Sequence, residues 1–207
     1  MITIIDYEMG NLRSVEKAFE SLGFKARVSA DPNDIKSADK VVLPGVGAFR
    51  DCINNLREGG FVEPLLAHVA SGKPMLGICV GMQMLFDESE EFGTHKGLGL
   101  IPGKVVRFPS GMVENDERLK VPHMGWNNLL IKQDSPLFSK VKDESFVYFV
   151  HSYYCEAGNQ DDVAASCRYG DVDFCASIWR DNIIATQFHP EKSQDVGLQI
   201  FRNFAEL

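Results

Sequence analysis

Apolar positions along the chain follow two different patterns. In the first, short apolar runs alternate with stretches of helical period. Ile2-Thr3-Ile4-Ile5 ends at Asp6 and predicts a buried strand. Leu12, Val15, Phe19 and Leu22 recur at three- and four-residue spacing before Gly23, which predicts an amphipathic helix with a glycine stop. Strands follow at Phe24 to Val28, at Lys40-Val41-Val42-Leu43 and at Pro74-Met75-Leu76-Gly77-Ile78. Helices are predicted over residues 48–57 and 61–71, and from Gly81 to Phe86. Such alternation implies a parallel sheet covered on both faces.

The second pattern is strand-rich. Val105 to Phe108, Asn128 to Ile131, Phe146 to Tyr154, Ala164 to Tyr169, Cys175 to Trp179 and Ile183 to Phe188 read as strands between Gly and Asp clusters. They predict antiparallel or mixed sheet added to the edge of the first. Residues 109–120 read as a solvated loop, and Val196, Ile200, Phe204 and Leu207 as a closing helix. With no repeat, linker or low-complexity tract, one α/β domain over residues 1–207 is expected.

Composition narrows the function classes. Twenty-nine acidic against 21 basic residues give a formal charge of −8, a poor footprint for nucleic acid. No apolar stretch approaches the ~20 residues that span a bilayer. Asp6 and Glu8 precede the first basic residue, Arg13, unlike the basic start of a secretion signal, so a cytoplasmic location is expected. The five cysteines are odd in number and lack Cys-x-x-Cys spacing, which argues against a disulfide framework or structural zinc.

One cysteine stands apart. Gly77-Ile78-Cys79-Val80-Gly81 lies where a strand should turn into a helix, the nucleophile-elbow pattern with Cys for Ser. With 18 glycines and five cysteines in the chain, chance produces about 0.04 such patterns. The elbow would place the thiol beside a helix N-terminus, where partial positive charge favours thiolate. The bland alternative is a buried cysteine in a tight turn. A thiol nucleophile needs a base. His189 follows the strand ending at Phe188, and Pro190 and Glu191 come next, so the acid could orient the imidazole. A surface His–Glu pair is the alternative, and a metal site lacks a third ligand. Pro44-Gly45-Val46-Gly47-Ala48-Phe49 could present backbone N–H groups to an oxyanion, or form an ordinary or phosphate-binding turn. Nucleotide motifs fail: Arg50 replaces the third Gly of a dinucleotide fingerprint. Around Gly103-Lys104, Leu98 and Val105 stand where a P-loop needs Gly and Ser or Thr.

Glycine loop, elbow and His-Pro-Glu, in that chain order, resemble the class I (triad) glutamine amidotransferases over the whole chain. The elbow extends as Leu76-Gly77-Ile78-Cys79-Val80-Gly81-Met82-Gln83. Asp6-Tyr7-Glu8-Met9-Gly10-Asn11-Leu12, Pro122-His123-Met124-Gly125-Trp126-Asn127, His151-Ser152-Tyr153 and His189-Pro190-Glu191-Lys192-Ser193 are similar to the members that supply imidazole glycerol phosphate synthase. The resemblance implies a flavodoxin-like fold and hydrolysis of glutamine through a Cys79 thioester. His189 and Glu191 would complete the triad, and Gly47 and Val80 the oxyanion hole. Gly45, Gln83, Ser152 and Tyr153 would contact substrate; from sequence alone Gln83 could face solvent, and Ser152 and Tyr153 could equally be packed in a strand. No cofactor or metal is implied. The ammonia would pass to a separate (β/α)₈ cyclase subunit, a barrel of ~250 residues for which this chain has no room, making imidazole glycerol phosphate and AICAR in histidine biosynthesis. Asn11, His123, Trp126, Tyr148 and Lys192 would lie at or near that heterodimer interface; a core Trp and structural histidines are the alternatives. The resemblance leaves open another acceptor synthase, such as a duplicated copy in surface-sugar amidation, and a non-catalytic scaffold. Glycine freedom at residues 45 and 47 further predicts that the oxyanion loop realigns when a liganded partner binds.

Overall fold

The computed structural model describes residues 1–114 and 116–207. Strands β1 (Ile2–Ile5), β2 (Ala26–Ser29), β3 (Lys40–Gly45) and β4 (Met75–Cys79) form the parallel first half. Helices α1 (Leu12–Ser21), α2 (Pro32–Ser37), α3 (Phe49–Glu58) and α4 (Val62–Ala70) connect them. β1, β4 and all of β3 after Lys40 are buried along their length, so they carry continuous apolar runs rather than alternation. The helix α2, absent from the sequence expectation, is started by Asp31, whose carboxylate accepts from the Asn33 N–H, and by Pro32 in the first turn.

The elbow helix is shorter than predicted. α5 is one turn, Val80–Gln83, and Phe86 starts strand β5 (Phe86–Ser89) instead of ending a helix. Phe86 is fully buried and pairs with Ile101 of β7 (Ile101–Arg107) across a parallel ladder, which overrides its helical spacing. The short strand β6 (His95–Lys96) closes that edge. The predicted loop at residues 109–120 contains a small hairpin of β8 (Val113–Glu114) and β9 (Glu117–Arg118); Asn115, within it, lies outside the described residues.

The strand-rich half comprises β10 (His123–Asn128), β11 (Leu130–Ile131), β12 (Phe146–His151), β13 (Tyr153–Ala157), β14 (Val163–Tyr169), β15 (Val172–Arg180) and β16 (Ile183–Thr186). β16 joins β4 in parallel and carries the sheet onward through β15, β13, β7 and β5, with β14 and β11 alongside; twelve strands share this sheet. The predicted strand from Phe146 to Tyr154 breaks at Ser152. β12 leaves to pair with β10 in a separate two-stranded ribbon, while β13 joins the large sheet between β7 and β15. Alternation fixes that ribbon's faces: Val147, Phe149 and His151 are buried, whereas Phe146, Tyr148 and Val150 face outward. The predicted strand at Asn128 to Ile131 likewise divides between β10 and β11.

The closing helix α6 (Gln194–Glu206) buries Ile200, Phe201 and Phe204, and Phe201 meets Phe19 of α1 with ring centroids 4.7 Å apart. First and last helices thus cover one face of the sheet. The carboxyl ends of β3, β4 and β16 lie side by side, with Gly45 opposite Cys79, where open α/β sheets place their sites. Among the described residues no helix is long and apolar enough to cross a membrane.

Candidate active site

Cys79 ends β4 with φ 55° and ψ −111°, outside the ordinary basins for a residue with a side chain. Two glycines make this turn possible. A Cβ at Gly81 would lie 1.9 Å from the Leu43 carbonyl oxygen, and one at Gly77 would press the Gly81 backbone at 3.1 Å. The thiol therefore stands at the tip of a strained elbow. Because α5 is a single turn, its contribution to the thiol is the first-turn N–H groups, Val80's included, rather than the macrodipole of a long helix.

His189 reaches the same point from the end of β16, and its backbone N–H donates to the Tyr148 carbonyl at 2.9 Å. Its Nδ1 lies 2.8 Å from Glu191 Oε1, with the two side chains 2% and 1% exposed. Asn11 Nδ2 donates to the same oxygen at 3.3 Å. A carboxylate accepts, so Nδ1 carries a proton and Nε2 turns to chemistry. Nε2 is buried, makes no fully formed hydrogen bond and faces the Cys79 sulfur. Burial by itself pulls the imidazole's pKa down; Cys79 and Glu191 together outweigh it and hold His189 up, to about 10. Burial instead pushes Cys52 up to about 12 and raises Cys155, Cys167 and Cys175, keeping those thiols neutral.

An open cleft of about 650 Å³ lies over this pair. It gathers Asn11, Gly47, Cys79, Val80, Gln83, Ser152, Tyr153, His189 and Lys192 from nine predicted positions spread over 182 residues of sequence. Gly47 has φ +98°, which only glycine adopts without strain. Two side chains pin the strand leading to it: Tyr7 Oη donates to the Pro44 carbonyl at 2.6 Å, and Cys52 Sγ to the Val46 carbonyl at 3.3 Å. Gly45, expected to touch substrate, does not line the cleft. A Cβ there would meet Gly81 N at 2.7 Å and Tyr7 Oη at 2.8 Å, so its role is to let β3 approach the elbow.

Gln83 lines the cleft as expected, but its amide is already engaged: Nε2 donates to the Tyr153 carbonyl at 3.1 Å and to Gln187 Oε1 at 3.0 Å. Gln187 and Glu91 were not among the expected site residues. Gln187 is fully buried, two positions before His189. Its only sequence signal is its place at the end of an apolar strand. Glu91 lines the cleft mouth and accepts from the Phe49 N–H; burial raises its pKa.

The expected partner residues separate into two groups. Trp126 is 45% exposed and edge-on to Tyr148, with centroids 6.0 Å apart, and Lys192 Nζ lies 5.7 Å from the Tyr148 ring centre. Met124 and Phe146 extend this outer face of the ribbon, 62% and 60% exposed. His123 is different. It is buried on the opposite face, stacked on Tyr169 with centroids 4.1 Å apart, and its Nδ1 lies 3.1 Å from His151 Nε2. A side chain so placed cannot touch a partner directly. Ribbon alternation puts His123 inward wherever Trp126, three positions on, faces out.

Comparisons agree with this geometry. The chain is 62% identical over 206 residues to the imidazole glycerol phosphate synthase subunit HisH of Geobacter sulfurreducens, covering 100% of this chain and 98% of that protein. The protein of the same name from Syntrophotalea carbinolica is 60% identical over 207 residues, covering both chains completely. A solved glutamine amidotransferase superposes with a TM-score of 0.75 at 19% identity over 100% of both chains. The Thermotoga maritima PurLQS structure superposes at 0.73 and 18% identity, covering 99% of this chain and 97% of that one. The last two establish the fold. The family model for class-I glutamine amidotransferase matches residues 3–207, and the chain belongs to that family.

Proposed function

We propose that this chain is the glutaminase subunit of an imidazole glycerol phosphate synthase. The observation that carries the chemistry is the buried Cys79–His189–Glu191 line beneath an open cleft. The Cys79 thiolate attacks the glutamine amide carbon, forming the C–S bond. Backbone N–H groups of Gly47 and Val80 stabilise the oxyanion. His189 gives its Nε2 proton to the leaving nitrogen and ammonia departs. His189 then takes a proton from water, which attacks the thioester and releases glutamate and the thiolate. Glu191 holds the ring with Nε2 toward sulfur in both halves. Ser152 and Tyr153, at the break between β12 and β13, border the substrate.

The ammonia acceptor would be a separate (β/α)₈ cyclase. The exposed apolar face of Met124, Trp126, Phe146 and Tyr148, flanked by Asn11 and Lys192 at the cleft, supports that docking surface. The relatives' name, a subunit of imidazole glycerol phosphate synthase, supports a place in histidine biosynthesis, and our reading puts that work in the cytoplasm. The sheet that runs unbroken from β2 to β6 supports one domain. No cofactor, nucleic acid or membrane enters this reading. Two measurements test it. Wild type should hydrolyse glutamine and Cys79→Ala should not. With its cyclase supplied, the gene should rescue a histidine auxotroph lacking this subunit; failure to rescue would redirect the glutaminase to another acceptor.

A further inference from the structure

Gln187 Nε2 lies 3.7 Å from Cys79 Sγ, in a fully buried position. This contact has no place in the triad, and the orientation of the Gln187 amide is not arbitrary. The Tyr153 carbonyl can only accept, and it faces both His151 Nδ1 at 2.8 Å and Gln83 Nε2 at 3.1 Å. That fixes the Gln83 amide with its nitrogen inward, so the Gln187 group it meets at 3.0 Å must be the oxygen. The Gln187 nitrogen is thereby left pointing at sulfur. The same reasoning runs outward: His151 Nδ1 holds its ring proton, Nε2 accepts from His123 Nδ1, and His123 Nε2 accepts from Asn127 Nδ2 at 3.4 Å. Asn127 is anchored on the Arg168 carbonyl at 2.8 Å. One hydrogen-bonded chain therefore extends from the ribbon strand β10 to the nucleophile, and every donor in it is assigned.

We infer that Gln187 is a further catalytic residue: its side-chain N–H donates to the Cys79 sulfur and stabilises the thiolate before attack. An amide N–H suits this task because it stabilises the anion without protonating it. The inference rests on Cys79 being the nucleophile. Gln187 touches sulfur and does not line the substrate cleft, so its loss should act on kcat and spare glutamine binding.

Gln187→Met keeps the length and removes the donor; Gln187→Glu keeps the shape and puts an acceptor against sulfur. Both should fold, with kcat for glutamine lowered about 10- to 100-fold and KM within about threefold. Wild-type kcat in Gln187→Met, or a change confined to KM, overturns the inference. If neither variant folds, the Cys79→Ala protein decides: the Gln187 side-chain ¹⁵N resonance should move when the sulfur is removed, while that of Asn182, bonded to the Val69 and Lys73 carbonyls, stays put. An unmoved Gln187 resonance overturns it. Inactive Cys79→Ala together with fully active Gln187→Met would reject Gln187 alone; active Cys79→Ala would reject the nucleophile itself.

Discussion

Glu191 Oε1 lies 2.8 Å from His189 Nδ1, and the two side chains are sealed from solvent. Burial of an imidazole ordinarily favours its neutral form. Here the carboxylate on one side and Cys79 on the other reverse that preference. Glu191→Gln keeps the shape and removes the charge. It should lower kcat/KM for glutamine by about 10²-fold or more and bring the His189 pKa down toward the ordinary histidine value. Steady-state kinetics and histidine-ring NMR across pH would read the two effects.

The inner histidines predict an acid limb in stability. Burial pulls His123 down to about 4 and His151 to about 3. The unfolded chain binds protons at these rings first, near pH 6.5, so their contribution is complete above that pH and is lost as pH falls toward the folded values. His189, whose folded pKa is raised, is protonated in both states below 6.5 and adds no slope there. Stability against urea should therefore fall between pH 7 and pH 5 by up to about 1.4 kcal/mol per pH unit per ring. His123→Phe should flatten that slope; an unchanged slope would refute the assignment.

Gly81→Ala should be among the most damaging single-methyl additions in the chain. The new Cβ would sit 1.9 Å from the Leu43 carbonyl, inside the junction of β3 and the elbow. A loss of about 3 kcal/mol is expected from overpacking alone, with glutaminase activity lost as the elbow moves. Gly72→Ala meets nothing within 4 Å and should cost about 1 kcal/mol for its positive φ. Chemical denaturation of both variants checks the contrast.

Trp126→Ala should weaken cyclase binding about 30-fold, some 2 kcal/mol, because a half-exposed Trp resting on Tyr148 is suited to be an interface anchor. Calorimetric titration reads the affinity, and the melting temperature of the free subunit should hardly change. His123→Ala, by contrast, should lower that melting temperature, since its ring lies in the core between Phe149 and Tyr169.

The elbow turn, the His189–Glu191 pair and the parallel half were legible in the sequence because each is encoded locally. Gly77 and Gly81 mark a turn only glycine permits, and continuous apolar runs mark strands buried on both faces. Long-range pairing carried what was not legible. Phe86 has helical spacing after Cys79, yet β7 claims it as a strand. Phe146 to Tyr154 reads as one strand, yet its two halves serve different sheets, and only the break exposes Ser152 to the cleft. His123 and Trp126 share one motif, but the ribbon's alternation sends one into the core and the other to the surface. Gln187 is unremarkable in sequence; its meaning comes from Gln83, 104 residues away.

The central claim is that Cys79 alone among five thiols forms a covalent bond to glutamine. An electrophilic glutamine analogue, a chloroketone in place of the side-chain amide, would trap it. Intact-mass and peptide analysis should find one adduct, on Cys79, suppressed by glutamine and abolished in His189→Ala at neutral pH. Labelling of Cys52, Cys155, Cys167 or Cys175 in its place, or undiminished glutamine hydrolysis by the fully labelled protein, would contradict the account.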